Sequence, residues 1–134
     1  MPGNFYDTNI LLYLASGDAT KAAAAERAVD LGGAISVQVL NEFVHVARRK
    51  MGFSWEDTHS FLTTIRALLT VVPLTTQIHD KGLQLAERYN FSIYDAMIVA
   101  AALASDCDVL FSEDLQDGIR IESLSIINPL KRSV

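Results

Sequence analysis

The sequence predicts an α/β fold with a mainly parallel sheet, and three observations carry the prediction. Short apolar runs of strand length alternate with longer segments of helical periodicity, from one end of the chain to the other. The connections between them are short, as in successive β-α-β units. No repeat, low-complexity tract or linker composition interrupts this order, and at 134 residues the chain is expected to form one domain, residues 1–134. That length buries most of the apolar surface without disulfides or a structural metal.

Each element has its own signals. Asn4-Phe5-Tyr6 is a first strand, and Ile10–Leu14 is a short helix that Thr8 or Asn9 is placed to cap, closed by Gly17 and Asp18. The Ala-rich segment from Thr20 to Leu31 has high helix propensity, and Gly32-Gly33 stops it. Ala34-Ile35 makes a very short second strand. Ser36 opens a helix over Val37–Lys50, with Val39, Phe43 and Val46 beside Leu40, Val44 and Ala47 at helical spacing. After the break at Met51-Gly52-Phe53, Ser54 caps a helix running to about Leu69, with Trp55, Phe61, Leu62 and Ile65 as core or interface. Val71-Val72-Pro73-Leu74 is a third strand ended by proline, and Thr75–Tyr89 is a helix. Ser92 followed by Asp95 is a capping box that opens the long apolar helix through Ala96–Ala104. The chain returns through Ser105–Asp108 into the strand Val109–Phe111, turns at Asp117-Gly118 and ends with a strand at Leu124–Ile127.

Composition narrows the function. Formal net charge is −5, from 11 Lys+Arg against 16 Asp+Glu, which excludes a surface that is basic throughout but not a local basic rim. Arg48-Arg49-Lys50 and Lys131-Arg132 are the basic clusters; the second reads as a solvated tail. Cys107 is the only cysteine, expected as a buried strand-edge thiol, so there is no disulfide framework or Cys-based zinc site, and a reducing cytoplasm is the expected compartment. No apolar run approaches the ~20 residues a bilayer span needs, so a soluble protein with no membrane partner is expected.

The acids carry the chemistry. Asp7 and Asp114 follow strand ends, where open α/β sheets line their ligand crevice, and Asp95 sits at a helix start. Glu42 has apolar neighbours at Val39, Leu40, Phe43, Val44 and Val46, so it needs a partner, either a base or a metal. If the four share one crevice at ~6 Å spacing, six repulsive pairs of ~3 kcal/mol each rival the ~5–15 kcal/mol stability of a whole domain. Such a cluster must take up cations or protons. All-oxygen ligands favour Mg²⁺ or Mn²⁺, and the chemistry they suggest is phosphodiester hydrolysis. His45, three residues from Glu42, is expected as a hydrogen-bonded core or rim histidine; His59 and His79 are assigned no chemistry. Tyr94 is expected to pack in the core rather than to stack on a base.

Asp7-Thr8-Asn9, Glu42 within Val39–Phe43, Asp95 within Ser92–Ala96, and Ser112-Glu113-Asp114 together resemble the four signatures of PIN-domain nucleases, and more closely those of VapC-type toxins of toxin–antitoxin pairs. The resemblance covers nearly the whole chain, in length and in motif order. It implies a three-layer α/β/α sandwich, Mg²⁺- or Mn²⁺-dependent endoribonuclease activity on RNA, a homodimer, and a small cognate antitoxin whose segment occupies the acidic groove. It implies that Asp7, Glu42, Asp95 and Asp114 hold the metal, with Asn9 and Ser112 orienting a carboxylate or a bound water. Ser112 stands where threonine is common, and Glu113 and Asp117 flank Asp114, so the fourth role is open to sharing. Arg48, Arg49 and Lys50, at the end of the helix bearing Glu42, are candidates for phosphate contact. Two other readings compete: a non-catalytic PIN-like module that binds RNA or protein, and a receiver-like phospho-acceptor. The second expects a late strand-end lysine, and none lies between Lys81 and Lys131.

Overall fold

A computed structural model describes residues 3–131; Arg132 of the C-terminal basic pair lies outside the described residues. Six strands form one sheet in the order β3-β2-β1-β4-β6-β5, with β1 Gly3–Tyr6, β2 Ala34–Ser36, β3 Thr70–Val72, β4 Cys107–Phe111, β5 Arg120–Ile121 and β6 Leu124–Ile127. All neighbouring pairs are parallel except β5 with β6. The helices are α1 Thr8–Ala15, α2 Ala19–Val29, α3 Val37–Arg49, α4 Trp55–Leu68, α5 Thr76–Tyr89 and α6 Ile93–Ala104. They flank the sheet to give the expected three-layer α/β/α sandwich.

The strand order fixes where a site can form. From β1 the chain builds outward through β2 to β3, then crosses back and lays β4 on the other side of β1. The switch point therefore lies between the carboxyl ends of β1 and β4, where the two outgoing loops diverge and leave a crevice. Asp7 N–H donates to the Phe111 carbonyl at 2.9 Å, closing the two strand ends together.

Local chemistry accounts for most boundaries. Ser36, Ser54, Thr75 and Ser92 cap α3, α4, α5 and α6, each hydroxyl oxygen accepting from the backbone N–H three residues on. α6 buries every residue from Ala96 to Ala102, because it packs against α5 on one side and the sheet on the other. Its apolar run is thus a core helix, and no helix among the described residues is long and apolar enough to cross a membrane. Phe5 and Tyr6 of β1, Ile35 of β2, Leu110 of β4 and Ile126 of β6 are fully buried beneath it and the opposing helices. Cys107 is buried at the start of β4, as expected of a structural thiol.

Three expectations need correction, and one element is new. The cap of α1 is Asp7 rather than Thr8 or Asn9, its carboxylate accepting from Thr8 N–H. β4 begins at Cys107, two residues earlier than the apolar run, because the ladder with β1 continues past exposed Asp108. β3 spans Thr70–Val72 and stops before Pro73, which has no N–H to donate. β5 is an unexpected two-residue antiparallel edge, Arg120 beside Ser125 and Ile121 beside Leu124, and the bonds of Gly118 N–H to the Ile126 carbonyl and Ile126 N–H to the Ile119 carbonyl lie just ahead of it.

Tyr6 ties β1 to the second helical layer: its hydroxyl lies 2.6 Å from the carbonyls of both Ala28 and Gly32 at the end of α2. Gly33 then admits the close approach of β2 to β1. Its φ is +135°, and a Cβ there would lie 2.2 Å from the Asn4 carbonyl oxygen. Gly33→Ala is therefore expected to destabilise the fold by about 3 kcal/mol or more. A urea midpoint within error of the parent would refute that reading of the β1–β2 approach.

Candidate active site

Asp7 leaves β1 at the switch point and turns at once into α1, which places its carboxylate at the floor of the crevice, only 2% exposed. Thr8 N–H donates to Oδ1 at 2.7 Å and the Ser112 hydroxyl donates to Oδ2 at 2.6 Å. Both oxygens are thereby oriented. Ser112, fully buried just past β4, also accepts from Leu115 N–H at 3.3 Å, so it fixes the loop that carries Asp114 as well as the carboxylate beneath it.

Burial pushes the Asp7 carboxyl up to about 7. The two hydrogen bonds oppose this, and the nearby charges of Asp95 and Asp114 raise it further. Glu42 is raised for the same reasons: burial first, then the charges of Asp95 and Asp114, against hydrogen bonds from Gln38 and Thr8. Asp95 is raised by burial and by Asp114, with a hydrogen bond from Ser92 opposing. The charge of Asp114 thus reaches Asp7, Glu42 and Asp95, and that of Asp95 reaches Asp7 and Glu42, which places the four acids around a single crevice. Asp7 lies between β1 and α1, Glu42 on α3 and Asp95 on α6; Asp114, on the loop after β4, is exposed at the crevice mouth.

Among the described residues no cationic side chain pairs with Glu42. Gln38, one turn earlier on α3, donates from Nε2 to its Oε2 at 2.7 Å, and Thr8 donates to Oε1 at 3.4 Å. Neutral donors suffice because Glu42 is only half-buried. The sequence reading missed both residues, although the four-residue spacing of Gln38 and Glu42 on one helix face was the available signal.

Asn9 acts on the backbone rather than on a carboxylate. Its Oδ1 accepts from Glu113 N–H at 3.3 Å, and its buried Nδ2 has no partner among the described residues. Such an orphan donor suits an oxygen brought by a ligand. Asp117 Oδ1 accepts from Asn128 N–H at 2.8 Å and so steadies the end of β6. Glu113 faces the Tyr13 hydroxyl, which burial and the Glu113 carboxylate together hold well above the usual phenol range.

The donor set fits a hard divalent cation in kind: carboxylates, no thiolate, and no cation of the chain among the causes of their shifts. Among the described residues the one ion pair, Lys81–Glu122, lies elsewhere. No three acidic, histidine or cysteine side chains among those residues are gathered closely enough to hold an ion as they stand. Holding one would require exposed Asp114 and half-buried Asp95 and Glu42 to draw in around fixed Asp7.

Arg48, Arg49 and Lys50 are exposed at the end of α3, beyond Glu42. Arg48 donates to the Phe53 carbonyl at 2.6 Å and lies 4.3 Å from the centre of the Trp55 ring, so it also has a structural role. His45 is exposed beside Glu42, as a rim histidine, and His59 and His79 are exposed on α4 and α5. Tyr94 is 62% exposed, which overturns its expected core position. It falls in the first turn of α6, where the helix meets the crevice rather than the sheet.

A family model described as the PIN domain matches residues 5–117. No curated protein matches in a sequence search. Among solved structures, the fold is similar to a toxin–antitoxin complex from Klebsiella pneumoniae, at 21% identity and TM-score 0.71 over 94% of this chain and 97% of that one. It is also similar to VapC20 of Mycobacterium tuberculosis, a sarcin-ricin loop cleaving toxin, at 18% identity and TM-score 0.68 over 83% and 89% of the two chains. VapBC2 from Rickettsia felis, bound to a DNA fragment from its promoter, matches at 21% identity and TM-score 0.66, over 92% and 96%. At these identities the likeness establishes the shared fold.

Proposed function

The chain belongs to the PIN domain family, and on that footing we propose that it is a Mg²⁺- or Mn²⁺-dependent endoribonuclease, the toxin of a toxin–antitoxin pair. The observation that supports this reading most is Asp7, a carboxyl buried at the switch point, pushed up to about 7 and in the field of Asp95 and Asp114. A structural carboxylate is normally paired with a cation; this one is surrounded by other acids.

In this reading residues 1–134 are one nuclease domain acting in the cytoplasm, as a homodimer restrained by a small antitoxin. The solved toxin–antitoxin relatives support the partner. Asp7, Glu42, Asp95 and Asp114 would hold the metal, which when bound supplies a nucleophilic water at neutral pH and charge stabilisation at the phosphate. The rest falls to the chain. Ser112 and Thr8 N–H hold both oxygens of Asp7 in one orientation, so the deepest ligand loses no rotamer freedom when the site assembles. Gln38 restrains Glu42 in the same way. Asn9 fixes the Glu113 backbone, which sets where exposed Asp114 can reach, and its unpartnered amide is available to a phosphate or water oxygen.

Incubating the purified chain with mixed cellular RNA, with Mn²⁺ or Mg²⁺ against chelator, tests the proposal. Discrete fragments that require the metal are expected. A folded, metal-binding chain that leaves the pool intact would instead favour the non-catalytic binding module.

The basic rim makes a separate prediction. Replacing Arg49 and Lys50 by glutamine, leaving Arg48 to its contacts with Phe53 and Trp55, should weaken RNA binding. The dependence of log affinity on log salt should flatten by up to roughly 0.7 for each phosphate that is no longer neutralised. An unchanged slope would return these two residues to ordinary solvated surface.

A further inference from the structure

Two cavities of about 420 Å³ each open along the exposed side of α3. The first is lined by Gln38, Glu42, Val46 and Tyr94, the second by Val44, Arg48, Arg49 and Trp55, and both share Asn41 and His45. They adjoin along these two exposed residues, a shallow trough in two parts. It starts at Glu42, inside the acidic crevice, and runs to the basic end of the helix, about 10 Å away at the ~1.5 Å helical rise per residue. That is room for about three stacked nucleotides at ~3.4 Å each.

The lining is unusual for a surface groove. At each end stands an aromatic ring that a folded core would normally bury, Tyr94 at 62% exposure and Trp55 at 57%. Between them lie the Asn41 amide and the His45 imidazole, and the aliphatic side chains are Val44 and Val46 alone. The Arg48 guanidinium lies against the Trp55 ring, held there by the Phe53 carbonyl, so a cation is fixed beside the outer platform. Stacking faces, amides and a terminal positive charge match an unpaired polynucleotide: bases on the rings, edges on the amides, phosphate on the cations. A peptide occupant would have less use for two isolated rings separated by polar groups.

We propose that this trough is the binding track for the single-stranded RNA segment next to the cut, with Tyr94 stacking the base beside the acids and Trp55 a base further along. The proposal rests on the nuclease reading for its substrate. It assigns Tyr94 and Trp55 to substrate positioning and selection rather than to chemistry, so their removal should act on KM more than on kcat.

Trp55 is the chain's only tryptophan, so its emission reports directly on the outer platform. Short oligouridylate and oligoadenylate titrated into the Asp95→Asn variant should quench that emission to saturation. Tyr94→Ala should weaken binding about tenfold, and Tyr94→Phe should restore it, since the ring and not the hydroxyl stacks. In the cleaving protein, Tyr94→Ala should raise KM by a similar factor with kcat little changed. Cleavage by the parent with Trp55 emission unmoved by RNA, and KM unchanged in Tyr94→Ala, would overturn the track, leave the nuclease reading intact and leave the trough to a protein occupant. Quenching and a Tyr94-dependent affinity in a chain that cuts nothing would support the track and sink the nuclease reading.

Discussion

Replacing Asp7 or Asp95 by asparagine is expected to lower RNA cleavage by at least roughly 10²–10³-fold, the scale on which removal of one charge-stabilising group acts in a preorganised site. The two variants should nevertheless fold. In Asp7→Asn the amide keeps an oxygen for Thr8 N–H and can donate its NH₂ to the Ser112 oxygen, so the contacts at 2.7 and 2.6 Å have neutral replacements. Asp95→Asn leaves the Ser92 cap in place, because that bond is made by the backbone N–H at this position and not by the side chain. Cleavage assays beside circular dichroism and thermal melts check this. Variants that fold and cut as fast as the parent would show that the acids are not the reactive centre. Variants that fail to fold would assign Asp7 chiefly to structure, which its capping of α1 would then explain.

Stability should depend on pH in the opposite sense from a salt-bridged carboxylate. Asp7 titrates near 3.8 when unfolded and about 7 when folded, so between those values the folded state binds the extra proton. Its contribution to stability is fully present below about 3.8, declines as pH rises and is lost above about 7. The difference is up to about 4 kcal/mol at 1.36 kcal/mol per pKa unit. Glu42 and Asp95 are shifted in the same direction and add to the trend, with solvent screening reducing their share. The metal-free chain should therefore resist urea better at pH 5 than at pH 8. Mn²⁺ or Mg²⁺ should recover the deficit at pH 8, because an ion that binds only the folded state stabilises it by mass action. Asp7→Asn should flatten the profile and melt higher than the parent at pH 8 without metal. If parent and Asp7→Asn show parallel profiles, Asp7 is not the group responsible.

One physical trade links activity to stability at this position. The same burial that destabilises ionised Asp7 at neutral pH would, in the proposed nuclease, favour its binding an ion and hold it in one orientation. Asp7→Asn is therefore expected to give up activity and gain stability together.

The elements and the order of the acids were legible in the chain alone. Caps act over three residues and helical or strand periodicity over a turn or two, so Ser36, Ser54 and Ser92 could be placed without knowing what packs on what. Glu42 stood out because an acid among Val39, Phe43 and Val46 conflicts with its own surroundings. Whatever depends on contacts far apart in the chain had to wait for the packing. The crossover that sets β4 beside β1 brings Ser112 onto Asp7 across 105 positions, and only that contact explains why the fourth motif carries a hydroxyl. Burial at the switch point, not composition, raises the Asp7 carboxyl. β5 escaped notice because two residues are too few for a period, and it exists only where β6 offers its edge. Tyr94 was misplaced for a similar reason. An aromatic residue opening an apolar helix has the composition of a core residue, and only the packing of α6 shows that its first turn overhangs the crevice while Ala96 to Ala102 are buried.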